Sequence, residues 1–232
     1  MSDLESEISR RKVLVGAGVA GATLGAAAMT ANAATGGDTN APLMHELQIL
    51  LDKQAITEVM MTYCRAVDHL NEDAVRAIFH PESQHRHGFS GPSSTTDGSE
   101  DFVGYALGFL RAFTRTHHQL GNIFIEIEDG GDVAFTEAYF TAFHRRRALG
   151  DPLAGEDATE TEMDYFVAGR YLDRLEKRDG VWKITHRTGL TDWARLEEPT
   201  GEGLDEAPSW MAGQHGPEDL VYHRREEYQP IK

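Results

Sequence analysis

The chain predicts an α+β fold: a cone-shaped, curved antiparallel sheet wrapped around N-terminal helices and enclosing a pocket. Three observations point there. Apolar residues recur at helical spacing from Leu43 to Val67; four strand-length segments fill residues 115–193; and turn-forming sequences separate the last of them, Asp-Gly-Gly-Asp at 129–132 and Asp179-Gly180. Helices first and a meander afterwards is the order of an α+β domain, not of alternating βαβ units. A strongly curved sheet around a helix leaves a blind hollow, a natural site for a small molecule.

The first 33 residues read as an address. Arg10-Arg11 precede a weakly apolar run at 13–29, and Ala31-Asn32-Ala33 supplies a small-x-small cleavage pattern. Together these mark a twin-arginine export signal, so the expected location is periplasmic or secreted. The run is too short and glycine-rich for a convincing membrane span. Gly16-Ala-Gly18-Val-Ala-Gly21 matches a dinucleotide-binding turn, but Arg10-Arg11-Lys12 stand where its preceding strand should be. The nucleotide reading is therefore rejected. Residues 34–41 read as a linker, residues 42–196 as the folded domain and residues 197–232 as an irregular C-terminal tail over it.

Within the domain, Leu43, Leu47, Leu50, Leu51, Ile56, Val59, Met60, Tyr63 and Val67 step by three or four, the mark of an amphipathic helix. Asp52-Lys53 interrupts the pattern, which leaves one helix or two. Residues 71–79 form a shorter helix stopped by His80-Pro81. A strand with His85 and His87 on one face follows, then a Gly/Ser/Thr-rich loop. Ser99, Glu100 and Asp101 open a third helix that reaches about Thr114. The strands expected after it are residues 115–128, 133–147, 161–178 and 181–193, the last pair joined by a hairpin at Asp179-Gly180.

Acidic residues outnumber basic ones 38 to 22, for a formal charge of −16. Phosphates would be repelled, which argues against nucleic acid or an anionic membrane as partner and is compatible with a neutral or cationic small ligand, though charge does not choose among such ligands. Cys64 is the only cysteine, so neither an internal disulfide nor a cysteine-based zinc site can form.

Asp68, His118 and His144 carry the chemistry of interest. A carboxylate that hydrogen-bonds an imidazole fixes its tautomer, orients it and favours its protonated form. In the run 136–144, Thr136, Ala138, Phe140, Ala142 and His144 share one face, which directs His144 into the cup. Against this, Asp68 could simply cap a helix end, and eleven histidines make coincidence cheap. Two histidines and a carboxylate also describe an iron or zinc ligand set, but no supporting His-x-Asp/Glu spacing is present. Arg145-Arg146-Arg147 read as a charged strand end, Trp182 as a core anchor, Cys64 as packing beneath Asp68, and His85 as solvated. In the tail, Tyr222 and Trp210-Met211 could form a lid or pack on a neighbouring subunit.

The chain resembles the SnoaL-like branch of the nuclear-transport-factor-2-like superfamily over residues 43–193. The motifs are Ala55-Ile-Thr-Glu-Val-Met-Met-Thr-Tyr63, Ala66-Val-Asp68, Phe79-His-Pro81, Gly169-Arg-Tyr171 and Asp179-Gly-Val-Trp-Lys183. Within that branch it looks most like the scytalone dehydratase group with its dehydratase and dehydrochlorinase relatives. Asp68, His118 and His144 fill the group's acid–base positions. Val67 and His87 stand where its substrate-holding tyrosines are, and Gly169 and Tyr171 where it has serine and asparagine.

The resemblance implies a lyase of the dehydratase or hydratase class, working without metal or other cofactor on a small, apolar, cyclic substrate. His118 would be the base, Asp68 its orienter and His144 the acid or oxyanion partner, with Asp68 holding His144 as the alternative pairing. Tyr63, His87, Phe140 and Tyr171 would bind substrate. A ketosteroid-isomerase-like double-bond isomerase and a non-catalytic ligand carrier are the rivals, and a homo-oligomer is expected.

Overall fold

The computed structural model describes residues 40–87, 95–156, 158–200, 207–208 and 211–228. The export signal, nearly all of the linker, the glycine motif at 16–21 and Trp210 lie outside them. Among the described residues no helix is long and apolar enough to cross a membrane.

Helix α1 (Ala41–Asp68) is continuous through Asp52-Lys53. Asp52 does not break it because its buried carboxylate is fully partnered. It accepts the Trp182 indole N–H at 2.8 Å, the Lys177 ammonium at 3.0 Å and the Gln48 amide at 3.2 Å. Ile56, Met60, Tyr63, Cys64 and Val67 form the inward stripe, whereas Leu43, Leu47, Leu50 and Leu51 are exposed. The amphipathic reading therefore holds for the second half of the helix only; the first half extends past the core.

Helix α2 (Glu72–Ala77) is capped by Asn71, whose side chain accepts the Ala74 N–H at 3.0 Å. It ends before His80-Pro81, which instead open strand β1 (Phe79–Arg86). Proline is tolerated there because the pairing of β1 with its neighbour is irregular between Phe79 and Gln84. His87 lies one residue past the strand end. Strand β2 (Thr95–Asp97) follows, then α3 (Ser99–Arg111), three residues shorter than expected because β3 (Phe113–Ile127) already begins there. The remaining strands are β4 (Val133–Arg146), β5 (Met163–Arg178) and β6 (Val181–Glu197). Asp179 and Gly180 both have positive φ, 53° and 78°, as a two-residue hairpin turn of type I′ demands.

The strands form one curved, unclosed sheet in the order β2-β1-β6-β5-β4-β3. β3 to β6 are the expected antiparallel meander, but β1 joins β6 in parallel, so the sheet is mixed. Along β4 the buried residues are Ala134, Thr136, Ala138, Phe140, Ala142 and His144, every second position. The tail is not wholly irregular: Asp219 caps α4 (Leu220–Glu227) by accepting the Val221 N–H at 2.9 Å. Tyr222 packs on His69 and beneath Arg65, at the end of α1 rather than over the hollow, and Met211 is exposed.

Candidate active site

The last turn of α1 delivers Asp68 to the inner face of β3. A carboxylate at a helix C-terminus meets the negative end of the helix dipole, so something must compensate. Its Oδ2 accepts the His118 backbone N–H at 2.8 Å and its Oδ1 pairs with His118 Nδ1 at 2.7 Å. Burial pushes the carboxyl pKa up, but the hydrogen bonds and charge of His118, helped by the Thr116 hydroxyl, outweigh this and hold it below the ordinary carboxylate value. An ionised carboxylate can only accept, so Nδ1 of His118 carries the proton and Nε2 is left for the hollow.

β3 and β4 pair so that Thr116 opposes His144 and His118 opposes Ala142. This sets the two imidazoles edge to face, ring centres 5.1 Å apart at 85°. Asp68 thus holds His118, not His144. The Nδ1 of His144 lies 3.3 Å from the Tyr165 carbonyl, and burial is the main cause that lowers its pKa to about 3. A neutral ring donating Nδ1–H to that carbonyl presents a bare Nε2, which is an acceptor. The acid role expected for His144 therefore does not match its resting tautomer.

Both rings line a cavity of about 750 Å³, together with Tyr63, His87, Phe140 and Tyr171. Tyr171 stacks on Phe140 at 4.3 Å, and Tyr63 stands edge-on to Tyr171 at 5.4 Å. Burial raises the pKa of both phenols, which keeps them protonated. His87 leans on Phe102 and Tyr171; burial, aided by the charge of Arg187, lowers its pKa to about 3. Its Nε2 is sealed from solvent without a hydrogen-bond partner. Asp68 does not line this cavity. It faces a second hollow of about 630 Å³, between the sheet and the tail, whose wall also includes His144.

His85 is buried, not solvated: it shares the inward face with His87, stacks on Phe102 at 3.9 Å and lies 2.7 Å from the Ser83 hydroxyl. Cys64 is buried near Asp68, and burial pushes its thiol up to about 12, which makes it inert. Trp182 is the anchor expected. Arg145 turns outward to Asp164, while Arg146 lies over the Tyr165 ring and Arg147 pairs with Asp151. Among the described residues no group of three or more His, Cys, Asp or Glu side chains is disposed to hold a metal ion.

Sequence reasoning missed the pair beneath the cavity. Arg187 donates to both oxygens of Asp173 at 2.7 and 2.6 Å, and both side chains are fully buried. The guanidinium sits between the rings of Tyr63 and Tyr171, 4.1 and 4.6 Å from their centres. Strand alternation hides this, because the register of β5 on β6 shifts between Arg174 and Leu175 and reverses the parity of β6.

The sequence profile of the SnoaL-like domain matches residues 48–188. No curated protein matches the chain. Among solved structures, a candidate scytalone dehydratase from Novosphingobium aromaticivorans DSM 12444 is similar at 22% identity and a TM-score of 0.52, over 67% of this chain and 97% of that one. A hexachlorocyclohexane dehydrochlorinase, LinA type 2, is similar at 19% identity and a TM-score of 0.55, over 68% and 97%. The type 3 enzyme from Novosphingobium barchaimii LL02 is similar at 18% and 0.52, over 68% and 96%. At these identities the likeness is one of fold. The profile match, the cone-shaped sheet and the structural neighbours agree: the chain belongs to the SnoaL-like domain family, within the nuclear-transport-factor-2-like superfamily.

Proposed function

We propose that this protein is a lyase of the dehydratase type, acting without a cofactor on a small, largely apolar, cyclic substrate. The observation that carries the reading is the 2.7 Å pair between Asp68 and His118, which aims Nε2 of His118 into an aromatic-walled cavity. His118 takes a proton from a carbon beside a carbonyl, and Asp68 stabilises the imidazolium that forms. The C–H electron pair becomes the new C=C bond as the neighbouring C–O bond breaks. His118 returns its proton to the departing oxygen, water leaves, and the ring is neutral again. One residue thus serves as base and then acid, while His144 accepts from a substrate hydroxyl and holds it in place. Tyr63, His87, Phe140 and Tyr171 wall the substrate. That solved neighbours include a candidate dehydratase and dehydrochlorinases is compatible with this chemistry.

Export through the twin-arginine route and assembly as a homo-oligomer complete the proposal. The outer face of the sheet exposes Phe124, Phe135, Tyr139, Phe143 and Trp193, a surface that a second copy could cover.

The test is incubation with cyclic β-hydroxy ketones and mass analysis of the product. Loss of one water, abolished in His118→Ala, supports the lyase. A product of unchanged mass with a moved double bond replaces it with an isomerase, and tight binding without turnover replaces it with a carrier.

A further inference from the structure

The Asp68–His118 pair stands between two hollows, and each partner lines a different one. His118 lines the cavity in front, whose wall is largely apolar and includes Phe102, Phe113, Phe140 and Tyr171. Asp68 lines the second hollow, whose wall is largely polar and includes His69, Thr116, His215 and Asp219. His144 and Tyr165 are common to both. The second hollow also reaches the exposed His117 and Glu197, so it opens to solvent. Asp68 keeps 18% of its side-chain surface and His118 only 8%, which makes the carboxylate the wetter partner. One side of this hollow is built by the C-terminal segment, which three contacts pin in place. The Gly216 N–H donates to the His69 carbonyl at 3.0 Å, Arg115 donates to the Gly213 carbonyl at 3.2 Å, and His215 Nε2 lies 3.2 Å from Thr116 Oγ1.

We propose that the second hollow is the water passage of the site, through which solvent reaches the Asp68–His118 pair from behind while an organic ligand fills the cavity in front. An apolar ligand that fits the front cavity displaces water from it, and the His118 ring then meets solvent only by way of Asp68. A carboxylate offers about four acceptor sites, of which His118 takes two. Water in the hollow therefore binds the same carboxylate and exchanges with the Nδ1 proton. A polar hollow of this kind holds ordered water, whereas an apolar one stays dry. In the proposed dehydration, the passage also gives the released water an exit beside His144 that does not run past the organic product. That last step rests on the lyase reading; the passage itself rests on the geometry of the pair and the two hollows.

The experiment is proton NMR of the full chain, following the downfield Nδ1–H resonance of His118 and its exchange with water, assigned by its loss in His118→Gln. Two glycines let each hollow be filled separately. A Cβ at Gly108, on the front cavity, meets nothing within 4 Å, and one at Gly213, on the second hollow, meets nothing nearer than the Asp219 carboxylate at 3.8 Å. Gly213→Trp is expected to slow the exchange at least about tenfold, because the proton must then await a local opening. Gly108→Trp should leave it within about twofold of wild type. Gln214→Trp fills the second hollow from the next residue, should act like Gly213→Trp, and covers the case in which that variant fails to fold. Exchange that neither tryptophan behind the pair slows, or that Gly108→Trp slows as much, overturns the proposal. No turnover is involved, so failure to find a dehydration substrate would leave the passage standing, and the two ideas fail separately.

Discussion

Asp68 grips His118 at two points, taking its backbone N–H on one oxygen and its ring Nδ1–H on the other, at 2.8 and 2.7 Å. The backbone contact fixes the carboxylate relative to β3, and the ring contact then fixes the imidazole relative to the carboxylate. Rotation of either side chain breaks one bond while the other resists. A pair held in this way is preorganised for proton transfer before any substrate arrives.

The first prediction follows from the tautomer. Asp68→Asn keeps the shape but offers no negative charge, and its amide can turn a donor toward Nδ1. His118 then loses both its orientation and the partner for its imidazolium form. The rate constant for dehydration is expected to fall by about 10²- to 10⁴-fold, with far less change in KM. Steady-state kinetics on the substrate found by the mass screen would check this; a fall in substrate binding with kcat preserved would contradict it.

Acid sensitivity is the second prediction. Burial is the main cause that lowers His85, His87 and His144 from 6.5 to about 3. Between those values the unfolded chain binds protons that the folded chain refuses, so stability rises with pH through this window. It is therefore lost as pH falls from about 6.5 toward 3, ahead of carboxylate protonation. Asp68 adds a later loss: its pKa is depressed on folding, so its contribution is present above the ordinary value of 3.8 and fades as pH falls through the folded one. Urea midpoints measured from pH 7 to 4 should slope downward, and His144→Gln should flatten the slope. A flat wild-type profile would mean these imidazoles are not buried as described.

Much of this architecture was legible in the chain, for reasons that differ by element. Ile56, Met60, Tyr63 and Val67 announced the inward face of α1 because spacing of three and four is a local property. Leu43, Leu47, Leu50 and Leu51 share that spacing yet face outward, since periodicity cannot say where the core ends. The β5–β6 hairpin was written in Asp179-Gly180, whereas the parallel joining of β1 to β6 depends on segments about a hundred residues apart and leaves no local trace. For the site, alternation along β4 pointed His144 inward. The choice of His118 over His144 as the partner of Asp68 depended on how β3 sits against α1, across 50 residues of sequence. Thr116 and His215 were invisible for the same reason, since they meet only through the tail.

Breaking the buried ion pair is the third prediction. Arg187 and Asp173 are both fully enclosed, and a partner left alone would be an uncompensated charge under the cavity. Asp173→Asn or Arg187→Met is expected to cost about 3–5 kcal/mol. The double change Asp173→Leu with Arg187→Met should recover a large part of this, because the lost charges leave together. Urea unfolding of the three variants supplies the comparison; a double variant as unstable as the sum of the singles would assign the cost to packing around Tyr63 and Tyr171 instead.

Gly189 gives the last prediction, which concerns the shape of the cavity. A Cβ built there would lie 2.9 Å from both Nδ1 and Cε1 of the His87 ring, closer than such atoms pack. The ring is a movable side chain, so Gly189→Ala should displace it into the cavity without unfolding the sheet. Gly169 is the contrasting case: a Cβ there would lie 1.9 Å from the Leu190 carbonyl oxygen, which is backbone and cannot step aside. Gly169→Ala should therefore destabilise the protein by about 1–3 kcal/mol, the usual range for overpacking. Gly189→Ala should instead leave the urea midpoint nearly unchanged and weaken binding of whatever ligand fills the cavity. Measuring both midpoints and one binding isotherm separates them, and equal loss of stability in the two variants would show that His87 is locked in place and cannot act as an adjustable wall.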